Sequence, residues 1–141
     1  TTGAGNDAIV FSGSVASTIS GGDGDDTIVG LGATGGSTID GGAGNDNIYG
    51  SSGNDSVIGG AGDDVFQTQI SAGQADTVSG GAGIDNIVVL GQASTSIASI
   101  VGTGTSALIT CTDGSTLSTT DVEFLSFTDT ARIINDGNNN T

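Results

Sequence analysis

Five aspartates recur along the chain in a setting that suits a metal ion. Each is the sixth residue of a nonapeptide, G-G-x-G-x-D-x-U-x, in which U is a large apolar residue. These sixth-position residues are Asp7, Asp26, Asp46, Asp64 and Asp85. Calcium takes roughly six to eight oxygen ligands from carboxylates and carbonyls, and a glycine-rich turn exposes its carbonyls. The pattern therefore predicts that these aspartates bind Ca²⁺.

The glycines of the same nonapeptides are expected to add carbonyl ligands. Those at the second and fourth positions are Gly3, Gly5, Gly22, Gly24, Gly42, Gly44, Gly60, Gly62, Gly81 and Gly83. One turn cannot supply enough ligands, but two turns stacked about 4.8 Å apart can. Alternate nonapeptides lie on opposite sides of such a stack, so the five full copies, at 2–10, 21–29, 41–49, 59–67 and 80–88, share one side. Five stacked turns have four gaps, and we expect a file of four Ca²⁺ ions in them.

Weaker copies of the same length supply the other side. They span 12–20, 32–40, 50–58 and 71–79, and their sixth residues are Ser17, Ser37, Asp55 and Asp76. Since only Asp55 and Asp76 are carboxylates, we expect at most one ion there, between turns 50–55 and 71–76. Asp23, Asp25 and Asp63 occupy the variable third and fifth positions of full copies, and we expect them to face solvent and only to raise the local negative potential.

The nonapeptide also predicts the elements that position these residues. Its first six residues are turn formers, and its last three form a short strand with one side chain pointing inward. The inward residue at position eight is apolar in all nine copies: Ile9, Ile19, Ile28, Ile39, Ile48, Val57, Phe66, Val78 and Ile87. Two nonapeptides make one coil, and stacked coils give an all-β fold, a right-handed parallel β-roll, or β-solenoid.

The full copies resemble a known family. GGDGDDTIV, GGAGNDNIY, GGAGDDVFQ and GGAGIDNIV are similar to the calcium-binding nonapeptide of the RTX (repeats-in-toxin) family, and the resemblance covers residues 2–88. It implies a bacterial protein that is secreted unfolded by a type I machine and folds outside the cell, where calcium is plentiful. We therefore expect an extracellular or cell-surface location.

The aspartates also predict a dependence of folding on calcium. Without metal, carboxylates stacked about 5 Å apart repel one another, and few large apolar side chains are present to offset that cost. We expect residues 2–88 to be unfolded at low calcium and to fold when Ca²⁺ binds.

The nonapeptide period ends after Val88, and we expect a cap to follow. We divide one structural domain into a β-roll at 1–88, a C-terminal β capping segment at 89–135 and a flexible tail at 136–141. Residues 105–117 read as a hairpin around Asp113–Gly114, a pair that favours a type I′ turn. DVEFLSFTD, at 121–129, predicts a strand that packs on the end of the roll, as in segments that often follow RTX repeats, and 131–134 predict another.

Composition narrows the partners. The formal net charge is −15, with Arg132 as the single Lys or Arg, so neutralisation of nucleic-acid phosphates is excluded and an anionic membrane would repel the chain. No apolar run approaches the ~20 residues of a membrane-spanning helix. The expected partners are calcium ions, with other copies of the chain or cell-surface polymers as further candidates. Cys111 is the one cysteine, and we expect a small buried hydrophobe.

Three functional classes remain for this composition. We expect no enzyme in this chain, because it has no histidine and no serine or threonine with an activating neighbour. The favoured interpretation is a structural or adhesive module of a larger secreted bacterial protein, such as an S-layer protein, surface filament or adhesin. The alternative is an accessory C-terminal module of a secreted enzyme, such as a serralysin-type protease, lipase or alginate epimerase. Ice binding by an outward hydroxyl row, Thr18, Thr38, Ser56 and Thr77, is disfavoured by the irregular row beside it.

Overall fold

The computed structural model describes residues 1–90, 97–127 and 131–133, which form strands joined by turns. The strands are β1 (Gly3–Ala4), β2 (Ala8–Phe11), β3 (Thr18–Asp23), β4 (Thr27–Gly30), β5 (Thr38–Ala43), β6 (Asn47–Tyr49), β7 (Ser56–Ala61), β8 (Val65–Gln69), β9 (Ala75–Ala82), β10 (Asn86–Leu90), β11 (Ile97–Thr103), β12 (Ser106–Cys111), β13 (Thr116–Thr120), β14 (Phe124–Phe127) and β15 (Ala131–Ile133). Within these ranges no residue is helical, and none forms an apolar helix long enough to cross a membrane.

Up to β10 the strands alternate between two sheets. The first sheet has the order β1-β3-β5-β7-β9-β13-β12-β11, and the second has the order β15-β14-β10-β8-β6-β4-β2. Every neighbouring pair among β1 to β10 is parallel and in register, so that equivalent residues of successive coils stack on one another, as Ile39 does on Ile19 and Val57 on Ile39. The prediction of a parallel β-solenoid is confirmed.

The eighth position of the nonapeptide supplies the core of the solenoid. From Ile19 to Ile87 every eighth-position side chain is at most 7 % exposed, and four of the isoleucines are fully covered. Ile9 is only partly buried, because no earlier coil lies beneath it among the described residues. Each coil adds only two of these side chains, so burial of apolar surface depends on stacking rather than on any single coil.

The C-terminal segment first adds one more coil to the solenoid and then covers its end with antiparallel strands. β13 pairs in parallel with β9 and β14 pairs in parallel with β10, so these two strands form one further coil. Antiparallel pairing then takes over, with β12 on β13, β11 on β12 and β15 on β14. The strand predicted at 121–129 is present as β14, and its last two residues lie outside the described ranges, as do residue 134 and the proposed tail at 136–141.

Some apolar residues of the C-terminal segment are buried and others are exposed, because side chains alternate in direction along its strands. Val122 and Leu125 are fully buried, and Phe127 is 5 % exposed. Phe124 instead points outward and is 41 % exposed, because it precedes Leu125 on a strand whose successive side chains face opposite sides. Cys111 is buried and unpaired, as predicted for a small hydrophobe.

The hairpin of the cap is present, but its predicted turn type is wrong. A type I′ turn needs a positive φ at both central residues. Here only Gly114 has a positive φ, of 86°, and Asp113 does not. The amide of Gly114 donates to the carbonyl of Cys111 at 3.1 Å, which makes Gly114 the last residue of the turn rather than a central one. The oxygen Oδ1 of Asp113 accepts from the Ser115 amide at 3.0 Å, so this aspartate stabilises the loop through its side chain.

Candidate metal centre

The five full copies stack along one edge of the solenoid, which we call the motif edge. Their turns, at 2–7, 21–26, 41–46, 59–64 and 80–85, each carry the chain from the first sheet to the second. The turns of the weaker copies carry it back along the opposite edge. Backbone hydrogen bonds join successive motif turns, as from the Thr27 amide to the Asp7 carbonyl at 2.8 Å and from the Asn47 amide to the Asp26 carbonyl at 2.8 Å. The structure therefore brings the sixth-position aspartates together in one file.

Each sixth-position aspartate above the first coil uses one carboxylate oxygen to bind the coil before it. Oδ1 of Asp26 accepts from the Asp7 amide at 2.7 Å, and Oδ1 of Asp46 accepts from the Asp26 amide at 2.8 Å. Asp64 and Asp85 repeat the arrangement at 2.8 and 2.9 Å. The repeated bond explains why one residue type recurs at this position, since the carboxylate must reach an amide one coil away.

The second carboxylate oxygen has no such partner. Oδ2 of Asp26, Asp46, Asp64 and Asp85 is buried without a hydrogen bond, and all four residues are at most 2 % exposed. Buried polar atoms are almost always satisfied, and an unpaired buried carboxylate oxygen is costly. Four unsatisfied carboxylate oxygens in a row therefore require a cation, which the described residues do not supply.

In the four motifs that begin with glycine, at Gly21, Gly41, Gly59 and Gly80, this first residue keeps space open beside the oxygen. A Cβ on Gly41 would overlap Oδ2 of Asp46 and would lie 2.7 Å from the carbonyl oxygen of Gly59 in the next coil. Gly21 and Gly59 stand in the same relation to Asp26 and Asp64. A carboxylate oxygen and a carbonyl oxygen thus face the same small volume in successive coils, which is the donor chemistry that Ca²⁺ prefers.

The glycines at the second and fourth positions are required by the backbone. All ten have φ between +110° and +148°, a region that residues with a side chain rarely adopt. They also pack tightly between coils, since a Cβ on Gly44 would lie 2.5 Å from the carbonyl carbon of Gly24. These glycines shape the turn, and their role as carbonyl ligands stays a prediction.

Burial and mutual repulsion raise the pKa of three aspartates of the file, Asp46, Asp64 and Asp85. Burial, together with the negative charges of Asp85 and Asp46, raises the pKa of Asp64 to about 6, against the lowering effect of the hydrogen bond from the Asp46 amide. The pKa of Asp46 and that of Asp85 are also raised, chiefly by burial. The nearby charge of Asp26 adds to the effect at Asp46, and that of Glu123 adds to it at Asp85. Either a proton or a cation therefore stabilises these carboxylates in the folded chain.

Fifth-position side chains form a second ladder that the sequence interpretation missed. Oδ1 of Asp25 accepts from the Asn45 amide at 2.7 Å, and Oδ1 of Asp63 accepts from the Ile84 amide at 2.9 Å. Asn6 and Asn45 make the same bond to the coils that follow them. The expectation that Asp25 and Asp63 only raise the negative potential is wrong, although both lie at the surface. The recurrence of Asn or Asp at this position was the available signal, because both side chains readily accept from nearby amides.

The opposite edge satisfies its carboxylates with protein donors. Oδ2 of Asp55 accepts from the Ser51 amide at 2.7 Å and from the Ser51 hydroxyl at 2.9 Å. Oδ2 of Asp76 accepts from the Thr68 hydroxyl at 3.2 Å, and its Oδ1 accepts from the Asp55 amide at 2.9 Å. Burial, together with the negative charge of Asp55, raises the pKa of Asp76 to about 6. The same residue type therefore has a different environment on each edge.

The acidic groups are arranged in a line rather than in a cluster. Among the described residues, no three Asp, Glu, Cys or His side chains converge as a metal-binding group. A cation on the motif edge would need carbonyl oxygens in addition to carboxylates, as the stacked turns provide. The donor set is entirely oxygen, which fits calcium rather than a soft transition metal.

Comparison with known proteins agrees with this donor set. A family model described as the RTX calcium-binding nonapeptide repeat (four copies) matches residues 1–34, 31–66 and 71–88. These segments include all five motif turns and more than half of the chain. A search of curated proteins found no match to the chain.

Proposed function

Because the chain belongs to the RTX calcium-binding nonapeptide-repeat family, we propose that its motif edge holds a file of Ca²⁺ ions whose binding folds the roll. The observation that carries this proposal is the row of buried carboxylate oxygens without a hydrogen bond, on Asp26, Asp46, Asp64 and Asp85. A bound Ca²⁺ supplies the positive charge that these oxygens lack. The chain is a calcium-binding β-roll module, and the number and position of its ions are our proposal.

The four gaps between the five motif turns are the proposed positions. Their ligands are the sixth-position carboxylates and carbonyls of the glycine-rich turns. The first gap differs from the others, because the hydroxyl of Thr2 donates to the carbonyl of Gly21 at 2.5 Å. Asp7 is also only partly buried. We therefore expect the ion in the first gap to be the most weakly held.

The opposite edge binds no ion in this proposal. The sequence allowed one ion at most between Asp55 and Asp76. Since Ser51 and Thr68 already donate to the two carboxylates, that position has no unsatisfied oxygen to offer. In this proposal bound metal stabilises one edge of the roll, and the chain's own hydroxyl and amide groups stabilise the other.

The charges of the same carboxylates explain why folding depends on calcium. The chain carries 16 acidic residues and one basic residue, and the motif edge places buried carboxylates in successive coils. In the absence of a cation this arrangement opposes folding, and each coil alone buries too little apolar surface to compensate. Binding free energy is then folding free energy, and the roll folds where free calcium is high.

The biological role that suits such a switch lies outside the cell. We place the chain as a structural or adhesive part of a larger secreted bacterial protein, such as an S-layer protein, a surface filament or an adhesin. A roll that folds only in high calcium can be exported unfolded through a type I machine. Further copies of the chain or cell-surface polymers are the proposed partners, and the roll at 1–88 and the cap at 89–135 act as one domain.

A titration of metal-free protein with Ca²⁺ tests the calcium proposal. Calorimetry would count the ions, and far-UV circular dichroism on the same samples would report the β content. We expect cooperative uptake of four or more ions together with conversion of coil to β structure. Full β structure in excess chelator, with little heat on addition of Ca²⁺, would show that the roll stands without metal and would overturn the proposal.

A further inference from the structure

The cap places a shortened sixth turn on the motif edge. Residues 121–123 connect β13 to β14 and lie directly above the turn at 80–85. The amides of Glu123 and Phe124 both donate to the carbonyl of Asp85, at 3.1 and 3.0 Å. We call the gap between these two turns the seam.

Glu123 occupies the place of a sixth aspartate in the file. Its Oε2 accepts from the Asp85 amide at 2.7 Å, which is the bond that each sixth-position aspartate makes to the coil before it. The turn 121–123 is shorter than the six-residue motif, and the longer side chain of glutamate compensates for the missing residues. Glu123 is the one glutamate in the chain, and no repeat pattern marks it.

Asp85 directs an unsatisfied oxygen into the seam. The residue is 0 % exposed, its Oδ1 accepts from the Asp64 amide at 2.9 Å, and its Oδ2 has no hydrogen bond. A Cβ on Gly80 would overlap both this Oδ2 and the carbonyl oxygen of Asp121. The two oxygens therefore face the same point, as a carboxylate and a carbonyl do in the gaps below.

The cap holds the carbonyl of Asp121 in position. Asp121 has a φ of 50°, and it is the one non-glycine with a positive φ in the part of the chain that the structure describes. Its Oδ1 accepts from the Thr105 hydroxyl at 3.2 Å, while the next amide, of Val122, donates to the Thr105 carbonyl at 3.1 Å. These bonds to the β11–β12 loop fix an uncommon backbone conformation that turns the carbonyl over Gly80.

The geometry points to a further Ca²⁺ site at the seam, with ligands from the carboxylates of Asp85 and Glu123 and from the carbonyl of Asp121. It rests on the proposed function, because it extends the same file by one ion. The turn 121–123 supplies fewer carbonyls than a full motif, so we expect water to complete the coordination. Such an irregular all-oxygen set suits calcium better than magnesium, which demands a near-octahedral shell. An ion here would join the last repeat to the cap.

The test compares wild type with Glu123→Gln. Glutamine keeps the acceptor for the Asp85 amide but removes the charge, so the fold has no reason to change. Asp40→Asn is the matched control, because it removes one charge from an exposed residue of β5 away from the seam. Each metal-free protein is titrated with Ca²⁺, the ions are counted by calorimetry and native mass spectrometry, and amide hydrogen exchange is followed in 122–127 and in 41–64.

We expect Glu123→Gln to bind one ion fewer than wild type and to lose calcium-dependent protection in 122–127 while keeping it in 41–64. Asp40→Asn should match wild type in both measurements. An unchanged ion count and unchanged protection in Glu123→Gln would overturn the seam site alone. Absence of Ca²⁺ uptake by wild type would instead overturn the calcium proposal itself.

A second variant keeps the test decisive if Glu123→Gln fails to fold. Glu123→Asp retains the charge and draws the carboxylate back by one methylene. We expect one binding step to weaken by roughly tenfold in this variant, with the other steps unchanged. Wild-type affinity at every step in Glu123→Asp would overturn the seam site.

Discussion

At the scale of single residues, the environment decides what an aspartate does in this chain. Asp46 and Asp55 occupy the same motif position and are both buried. Oδ2 of Asp55 receives two hydrogen bonds from Ser51, whereas Oδ2 of Asp46 receives none. The first is a structural carboxylate and the second is a candidate ligand, and the motif letter alone does not separate them.

The first-position glycines give a matched pair of substitutions for this difference. A Cβ on Gly41 would overlap Oδ2 of Asp46, whereas a Cβ on Gly50 would lie 3.4 Å from Oδ2 of Asp55, an ordinary contact. We expect Gly41→Ala to weaken calcium uptake and to destabilise the calcium-loaded roll by about 1–3 kcal/mol. Gly50→Ala should leave stability unchanged or raise it by up to about 1 kcal/mol, because alanine restricts the unfolded chain.

Thermal unfolding in excess Ca²⁺, with ion counting, would compare the two variants. The prediction fails if both alanines cost the same, since the space beside Asp46 would then have no special role.

At the scale of elements, the sequence predicted the repeated strands and missed contacts that occur only once. The apolar eighth position fixed the strands and their inward residues from Ile19 to Ile87, because every coil repeats the same packing problem. Glu123 was missed because its role arises only when the cap turn is stacked on the last repeat. The type I′ turn was wrong because the choice among hairpin turns depends on the loop around Asp113, which closes through Ser115. The hydroxyl that donates to Asp76 was also missed, since Thr68 lies outside the nonapeptide frame.

The opposite edge should respond to mutation without changing the ion count. Ser51 donates through both its amide and its hydroxyl to Asp55, and Ser51→Ala removes only the hydroxyl. We expect a loss of about 1–3 kcal/mol in the free energy of unfolding, because the buried carboxylate is left less satisfied. The number of ions bound should equal that of wild type. Chemical denaturation and a calcium titration would check the two expectations, and loss of an ion would mean that this edge binds metal after all.

At the scale of the whole molecule, the raised pKa values predict that acid folds the metal-free roll. Burial raises the pKa of Asp64 and of Asp76 to about 6, above the value of about 3.9 that an unfolded aspartate has. Between these pH values the folded chain binds more protons than the unfolded chain, so the free energy of unfolding falls as pH rises. This stabilisation is fully present below about pH 3.9 and is lost as pH passes about 6.

Far-UV circular dichroism of metal-free protein should therefore show more β structure at pH 4.5 than at pH 7.5. Protein saturated with Ca²⁺ should instead melt at a higher temperature at pH 7.5 than at pH 4.5, because protons compete with the metal for the same carboxylates. Metal-free protein with less β structure at pH 4.5 than at pH 7.5 would contradict the prediction and would indicate that these buried carboxylates do not govern stability.

The hydrogen bonds between successive coils also determine how the molecule would respond to a pulling force, one coil at a time. The aspartate-to-amide bonds join residues 19, 20, 18 and 21 positions apart along the chain. An extended chain spans about 3.4 Å per residue, so a coil pulled free from the end of the stack would lengthen the molecule by roughly 60–70 Å. Tension applied to the first strand would peel the coils one after another toward the cap. The roll would then act as an extensible tether whose yield force rises with the calcium concentration around it.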